Sequence, residues 1–368
     1  MDDELLYSIA LIMAPGVGSI NARKLVAYTG SAKAVFTEKR KHLAQIQGIG
    51  AALVSSLTDH SIITQAEKEF EFIQKHGITV LLCTDKLFPE RLRNCADAPF
   101  LLFKKGDADL NTRKVISVVG TRRATDYGRD LCNQFIAALK ERGHDVLVCS
   151  GMAYGIDILA HKACLKNNIP TVGVLAHGLA TLYPSVHKTV SKEMCQNGGA
   201  LLTEFLSTTP PDRPNFVRRN RIVAGMADAT IVIESPLESG SLITADLANA
   251  YNRDVFAFPG RSHDIYSQGC NKLIKNNLAN LIESVDDVEF FLGWDSENEK
   301  KPIQTTLFTE LAPDEQRLCN LIRDNNELYI DQLCVLSGLP VSAVSVFMVN
   351  LEFAGVVRCL PGKLYKLA

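Results

Sequence analysis

The sequence lacks any apolar run that approaches the roughly 20 residues a transmembrane helix needs. Its first residues, Met1 to Glu4, are acidic and lack the basic stretch that opens a secretory signal. We therefore expect a cytoplasmic protein that makes no use of a membrane.

Paired cysteines are also absent. The ten cysteines stand singly, no C-x-x-C pair occurs, and most lie within apolar segments. Zinc sites and disulfide frameworks depend on such spacings, whereas a free cysteine in a reducing compartment behaves as a small buried hydrophobe. The pattern predicts neither a metal site nor disulfides, and we expect no cofactor.

An excess of positive charge is missing as well. The chain has 39 lysines and arginines against 41 aspartates and glutamates, which gives a net charge of −2. Domains that bind nucleic acids are commonly basic. If this protein binds DNA, the positive charge must be local, so the positions of the arginines decide the question.

Three blocks with different patterns follow one another along the 368 residues, a length that favours two or three domains. We predict a helical domain at 1–75, a Rossmann-like domain at 76–293, a polar linker at 294–312 and a winged-helix domain at 313–368. In the second block, short apolar runs alternate with helical stretches, which is typical of a doubly wound parallel sheet with helices on both faces. These runs are 115–119, 145–149, 171–176, 200–205, 229–234 and 254–258.

The last block has the order of a winged helix, with three short helices at 313–323, 330–337 and 341–353 before a hairpin at 356–360 and 363–367. Its third helix contains no lysine or arginine. A helix that reads duplex DNA needs side chains that reach base edges and basic neighbours on phosphate. We therefore favour protein contacts or a weak contribution over sequence-specific duplex binding.

The first block contains two pairs of short predicted helices, each pair joined by a glycine turn, at 15–18 and 48–50. This spacing resembles the helix-hairpin-helix motif, in which turn amides approach a DNA phosphate. Glycines that merely close tight helical turns produce the same pattern. The sequence leaves both interpretations standing.

Glycines and hydroxyl residues follow several predicted strands of the middle block. In doubly wound sheets, ligands bind at the carboxyl ends of the strands, where glycine amides and hydroxyls at helix starts bind anions. Together these turns predict a polyanion-binding rim along one edge of the sheet. The residues are Gly120, Thr121 and Arg122 after the first strand, Gly151 and Gly155 after the second, and Ser239, Gly240, Ser241 and Thr244 after the fifth.

The densest basic stretch, 213–221, holds four arginines beside Phe216. The helix dipole disfavours arginine at a helix start, so their clustering favours a shared anion. Phe216 is a candidate for stacking on a base, with core packing as the alternative. Lys188 directs a further charge toward the same edge.

Two polar residues of the second turn have structural interpretations. Asp157 is predicted to cap the helix that begins there. His161, one helical turn later, is expected to be packed rather than catalytic, because no partner for acid–base chemistry is evident.

Taken in order, five motifs resemble the DNA-processing protein A (DprA/Smf) family, and the likeness extends over essentially the whole chain. Thr121 stands where serine is usual, and Val217 where proline is common. The motifs are 120–122, 150–157 with 160–161, 219–222, 239–244 and 259–260.

The resemblance implies a single-stranded DNA-binding protein of natural transformation, without catalytic activity. Such a protein protects incoming DNA, loads RecA recombinase onto it and forms a homodimer through the Rossmann-like domain. The DNA-binding residues would then be Arg122, Lys188, Phe216, Arg219, Arg221, Gly120, Thr121, Gly151, Gly155, Ser239, Gly240, Ser241 and Thr244.

The main alternative is a nucleotide-binding sensor or nucleotide-processing enzyme that uses the same strand-end pocket. The related lysine-decarboxylase-like phosphoribohydrolases carry a P-G-G-x-G-T-x-x-E motif with a catalytic glutamate. The corresponding stretch here, 239–246, lacks that glutamate. This difference favours DNA binding over catalysis.

Overall fold

The computed structural model describes residues 3–57, 59, 61–294, 311–360 and 363–367. The chain divides into two compact units, Met1–Glu299 and Lys300–Ala368. Most of the predicted linker, 295–310, lies outside the described residues.

The first unit begins with six short helices whose apolar faces pack together. Their core also takes in Phe100, Leu101 and Phe103, so the helices lie against one edge of the sheet described next. Gly30, in the left-handed region with φ of 90°, ends the second helix, and its N–H donates to the carbonyl of Val26. The boundary at 75/76 stays a prediction. The helices are α1 (Asp3–Met13), α2 (Ser19–Thr29), α3 (Ala32–Thr37), α4 (Arg40–Leu43), α5 (Ala51–Ser56) and α6 (Ser61–Lys75).

A nine-stranded sheet organises the rest of this unit. Its order is β1-β2-β6-β5-β4-β3-β7-β8-β9; the strands from β6 to β9 are parallel, whereas β2 runs antiparallel to both of its neighbours. Strands β3 to β7 are buried throughout, as continuous apolar runs predict. The strands are β1 (Thr79–Leu82), β2 (Leu101–Gly106), β3 (Lys114–Val119), β4 (Val146–Gly151), β5 (Thr171–Val174), β6 (Ala200–Thr203), β7 (Ala229–Val232), β8 (Asp254–Ala257) and β9 (Asn280–Leu281).

Helices cover both faces of this sheet. One core contains residues of α7, α11, α12 and α13, and the other contains residues of α8, α9 and α14. The predicted doubly wound, Rossmann-like architecture is thereby confirmed. The helices are α7 (Glu90–Arg93), α8 (Asp126–Glu141), α9 (Ile156–Lys166), α10 (Lys188–Gln196), α11 (Arg213–Gly225), α12 (Gly240–Ala250), α13 (Gln268–Lys275) and α14 (Val285–Leu292), with a 3₁₀ turn at Ser185–His187.

The strand order reverses beside β3. From β3 the chain builds β4, β5 and β6 on one side, and then returns to place β7, β8 and β9 on the other. The turns that follow β3 and β7 therefore diverge at the carboxyl end of the sheet. Ligands of doubly wound proteins bind in the crevice that forms at such a switch point.

The second unit has the predicted order of three helices and a hairpin, and adds a short strand that the sequence did not suggest. The sheet order is β10-β12-β11, and Leu318, Leu333 and Met348 lie in the core. The third helix leaves Val346 and Phe353 exposed. The elements are α15 (Pro313–Asn325), β10 (Glu327–Tyr329), α16 (Ile330–Ser337), α17 (Val341–Phe353), β11 (Val357–Leu360) and β12 (Leu364–Leu367).

Within the described part of the chain, no single helix is long and apolar enough to cross a membrane. By length and composition alone, one bent pair would suffice, formed by α16 and α17 at 114° to each other. All ten cysteines are free, and six of them are buried.

Candidate nucleic-acid interface

A cleft of about 900 Å³ lies at the switch point of the sheet. The turns after β3, β4, β7 and β8 and the start of α11 line it. Ten of the thirteen predicted site residues line this cleft, namely Gly120, Thr121, Arg122, Gly151, Phe216, Arg219, Ser239, Gly240, Ser241 and Thr244. The structure therefore gathers into one place residues that are more than 120 positions apart in the sequence.

The turn after β3 is held in place by Glu234, which follows β7. The N–H of Thr121 donates to the Glu234 carbonyl at 2.6 Å, while the N–H and hydroxyl of Thr125 donate to its carboxylate at 2.9 and 2.6 Å. A Cβ on Gly120 would lie 2.8 Å from the Cβ of Ile156, so only glycine fits there. This network fixes the turn that presents the exposed side chain of Arg122.

Arg122 lies over an aromatic ring inside the cleft. Its guanidinium carbon is 5.4 Å from the centroid of the Phe216 ring, within the range of a cation–π contact. The ring of Tyr183 meets Phe216 edge-on, with centroids 6.0 Å apart. Phe216 is half-buried and belongs to none of the hydrophobic cores. Its position therefore agrees with a cleft residue rather than with the core-packing alternative.

Arg219 forms the buried floor of the cleft. Its guanidinium donates to the carbonyl of Val174, at the end of β5, and to the Asn220 side chain at 3.3 Å. Burial lowers the pKa of Arg219, and the neighbouring Asp157 carboxylate opposes that shift. Burial likewise raises the pKa of Asp157, against the effect of Arg219. Gly151 makes room for this pair, because a Cβ there would collide with both side chains.

The prediction that Asp157 caps α9 is wrong. The helix begins one residue earlier, at Ile156, and Gly155 is its N-cap residue without a side-chain hydrogen bond. The Asp157 carboxylate instead accepts a 3.4 Å hydrogen bond from the N–H of Ala153, in the preceding loop. Gly155 has φ of +76°, and a Cβ on it would overlap the carbonyl of Thr121. Gly155 thus shapes the cleft wall without lining it.

His161 is packed, as predicted. Its side chain is fully buried, with Nε2 2.7 Å from the carbonyl of Gly151 and Nδ1 2.7 Å from the hydroxyl of Thr171. Burial lowers the pKa of His161 to about 4. The neutral ring therefore ties α9 to β4 and β5 beneath the cleft.

Two predicted cations lie outside the cleft. Arg221 is buried, and its guanidinium lies 2.6 Å from Glu204, a carboxylate it shares with Arg218. Lys188 is exposed at the start of α10. The expectation of four arginines at one helix start is also wrong, because Asp212 caps α11 so that only Arg213 falls in its first turn.

Three exposed arginines supply the accessible positive charge. In the described ranges, no ion pair involves Arg122, Arg123 or Arg213, all of which line the cleft. The carboxylates in the lining are those of Asp157, Asp212 and Glu238. Arg123, Arg213, Tyr183 and Glu234 were not among the predicted site residues. Arg123 directly follows Arg122, and Arg213 opens the basic stretch 213–221, so the sequence carried a signal for both.

Hydroxyl groups at the start of α12 bond to one another. Ser239 Oγ lies 2.8 Å from Ser241 Oγ, which in turn lies 2.9 Å from Ser235 Oγ. The Thr244 hydroxyl donates to the carbonyl of Gly240 at 3.1 Å. These contacts hold the N-terminus of α12 against the cleft, where the helix dipole favours an anion.

The first glycine turn, 15–18, is exposed at Pro15, Gly16 and Gly18 and buries only its valine. Val17 is buried, and a second cavity of about 160 Å³ separates the turn from Phe205 and Arg218. The second turn precedes α5, where Gly50 is the N-cap residue without a side-chain hydrogen bond. No group of three or more potential ligands in the described residues is arranged to hold a metal ion.

Comparison with known proteins gives consistent matches along the chain. Residues 79–292 match the family model of DNA recombination-mediator protein A, and residues 304–363 match that of the DprA winged helix domain. A putative DNA processing protein DprA of Mycobacterium tuberculosis (strain ATCC 25618 / H37Rv) is 34% identical over 317 residues, which cover 82% of this chain and 80% of the relative. Protein Smf of Escherichia coli (strain K12) is 33% identical over 77% of this chain and 75% of its own length.

Two solved structures are also similar. DNA processing protein A from Streptococcus pneumoniae superimposes with a TM-score of 0.64 at 30% identity, over 77% of this chain and 96% of that protein. DNA processing protein A from Helicobacter pylori superimposes with a TM-score of 0.53 at 29% identity, over 60% of this chain and 97% of that protein. The study of the Helicobacter protein concerns its single-stranded DNA binding mode.

Proposed function

The chain belongs to the DNA processing protein A (DprA/Smf) family, and on this premise we propose that it binds single-stranded DNA in the cleft at the switch point of its sheet. The observation that carries the proposal is the arrangement of Arg122 over Phe216 in a cleft that also holds Arg123 and Arg213. Proteins that bind single strands combine cationic grooves with aromatic side chains on which bases stack.

Phosphate contacts come from two kinds of donor in this proposal. The exposed arginines present planar guanidinium groups that match phosphate geometry. Gly120, Gly151 and the start of α12 bring backbone close to the cleft, where amides at a helix N-terminus favour an anion. Arg219 contributes a buried charge beneath the bound DNA strand.

Lys188 and Arg221 have different standings in this proposal. Lys188 lies at the carboxyl edge beyond the cleft and remains a candidate for a contact with DNA that leaves it. Arg221 is bonded to Glu204 inside the protein. We therefore assign it a positioning function for α11 instead of the direct contact predicted from the sequence.

In the cell, the protein would protect incoming single strands during natural transformation and load RecA recombinase onto them. The description of the matching family as a recombination mediator supports this function. The proposal includes a homodimer through the Rossmann-like domain, a cytoplasmic location and the absence of catalysis.

The test is fluorescence anisotropy with labelled oligo-dT and a matched duplex across a salt series, for the wild type and Arg122→Ala. We expect the wild type to prefer the single strand, with an affinity that falls steeply with salt because phosphate contacts release counterions. Arg122→Ala should weaken binding to all sequences and reduce the salt slope by about 0.7, the value for one contact on a single strand.

Two results would overturn the proposal. An affinity that does not change with salt, or an Arg122→Ala variant that binds normally, would exclude the cleft as the DNA site. If the wild type bound neither strand form, a nucleotide in the same cleft would become the leading interpretation, and nucleotides would be screened next.

A further inference from the structure

Tyr154 is an exposed aromatic residue next to the cleft that none of the functional assignments above uses. Its side chain is 49% exposed. The preceding residue, Ala153, lines the cleft. The following residue, Gly155, lies against the backbone of Thr121 and Arg122. Tyr154 therefore stands at the cleft rim, beside the turn that presents Arg122.

The surrounding contacts hold this tyrosine in a fixed position. The N–H of Ala153 donates to Asp157, and the N–H of Ile156 donates to the carbonyl of Thr121 at 3.1 Å. The ring of Tyr154 meets that of His187 at 71°, with centroids 5.1 Å apart. His187 is itself buried, with Nδ1 2.9 Å from the carbonyl of Met152. A ring that is already oriented loses little conformational entropy when a ligand stacks on it.

Exposed cations adjoin two of the elements that surround Tyr154, the residue after His187 and the turn against Gly155. Lys188 follows His187 in the chain, is exposed, and takes part in no ion pair within the described ranges. Arg122 lies toward the cleft, where it already covers Phe216. An exposed aromatic ring near accessible cations repeats, at the cleft rim, the combination found within the cleft. This repetition is the pattern of a single-strand path.

We infer that Tyr154 is a second base-stacking residue, which receives a nucleotide as the single strand leaves the cleft toward Lys188. The inference rests on the proposed function and extends it, because it gives the strand a direction across the carboxyl ends of β3, β4 and β5. It also predicts that the binding site is longer than the cleft.

The experiment compares oligo-dT of about 6 nucleotides with oligo-dT of about 16, near the limits of site sizes in single-strand binders. Tyr154→Ala should weaken binding of the longer strand about 5- to 150-fold, the range for loss of one stacked base. It should leave binding of the short strand, which the cleft accommodates, unchanged. Tyr154→Phe should keep the wild-type affinity for both strands, because it retains the ring.

An abasic scan of the longer strand separates stacking from a structural effect. In the wild type, one abasic position outside the cleft should weaken binding, and Tyr154→Ala should not respond to that position, since the interacting partner is gone. Tyr28→Ala, which removes a similarly exposed tyrosine from α2, is the matched control and should bind both strands like the wild type.

Three results would overturn the inference. One is equal weakening of both strands by Tyr154→Ala, which would mean that the residue acts through the turn at Arg122. The second is unchanged binding of the longer strand. The third is an abasic effect that persists in the variant. If the wild type bound neither strand, the proposed function itself would fail, and this inference would fail with it.

Discussion

Replacement of Arg221 by methionine separates a structural arginine from a DNA-binding one. Family resemblance placed Arg221 in the DNA groove, whereas its guanidinium lies 2.6 Å from the Glu204 carboxylate, away from the cleft lining. Methionine keeps most of the apolar stem and removes the charge. The variant therefore tests whether the residue stabilises the fold or contacts phosphate.

The expected magnitude follows from the burial of the ion pair. The side chains of Glu204 and Arg221 are only 2% and 10% exposed, respectively. Removal of one partner from a buried pair costs about 3–5 kcal/mol, because the other charge stays buried without compensation. Glu204 keeps a second contact, with Arg218 at 2.6 Å. We therefore expect the lower end of the range, a loss of about 3 kcal/mol in the free energy of unfolding.

Urea unfolding monitored by circular dichroism measures the stability, and oligo-dT anisotropy over a salt series measures the phosphate contacts. For Arg221→Met we expect reduced stability and an unchanged salt slope. The matched control is Arg213→Ala, which removes an exposed arginine from the start of the same helix, where the described residues provide no ion-pair partner for it. The control should lower the salt slope by about 0.7 and change stability by less than about 0.5 kcal/mol.

The reverse result would refute this assignment. If Arg221→Met unfolded at the wild-type urea concentration and lost salt dependence, Arg221 would contact phosphate, and the Glu204 pair would be incidental to stability. The position of α11 would then have to be explained by other contacts.

Three further predictions concern residues around the cleft. The pKa of His161 is lowered to about 4 from 6.5, so its neutral form stabilises the fold above pH 6.5, and this contribution of about 3 kcal/mol is lost as pH falls toward 4. Urea unfolding at a series of pH values should show that the free energy of unfolding falls more steeply with acid for the wild type than for His161→Gln. Equal pH dependence of the two proteins would contradict the lowered pKa. Gly151→Ala should lose about 1–3 kcal/mol of stability through overpacking, whereas Gly240→Ala, whose new Cβ would lie 3.9 Å from the nearest atom, should keep the wild-type melting temperature. Equal melting temperatures of the two variants would argue against crowding at Gly151. Glu234→Gln should weaken oligo-dT binding by loosening the turn at Thr125. It should also lower the free energy of unfolding by about 1–3 kcal/mol, because the buried amide replaces only one of the two carboxylate oxygens that accept from Thr125. Unchanged binding would mean that the turn holds without the carboxylate.

The six strands from β3 to β8 and the position of the cleft could be predicted because they depend on local patterns. A buried parallel strand reads as a continuous apolar run, and a turn that approaches a ligand requires glycine. The runs at 115–119 and 229–234 and the residue Gly120 carry these signals directly. Since ligands meet parallel sheets at their carboxyl ends, these patterns already indicated the edge of the sheet where the cleft lies.

The partners of individual charges could not be predicted in this way. Arg219 and Arg221 are two residues apart, and yet one faces Asp157 in the cleft floor and the other faces Glu204. Helical geometry rotates such neighbours onto different faces, and what each face meets depends on packing between distant segments. The expectation of four arginines at one helix start failed for a related reason. Asp212 caps α11, which leaves three of the four arginines beyond the first turn of the helix.

The cleft walls come from turns that follow β3, β4, β7 and β8, and no single segment of the chain contains the site. A partly folded chain therefore has no complete cleft, and the proposed DNA binding requires the completed sheet. DNA binding then raises the free energy of unfolding, because a ligand that recognises the native state alone stabilises that state by mass action. At a free DNA concentration about a hundredfold above the dissociation constant, this linkage adds about 2.7 kcal/mol to the free energy of unfolding. The strand that the protein is proposed to protect would, in the same equilibrium, protect the protein.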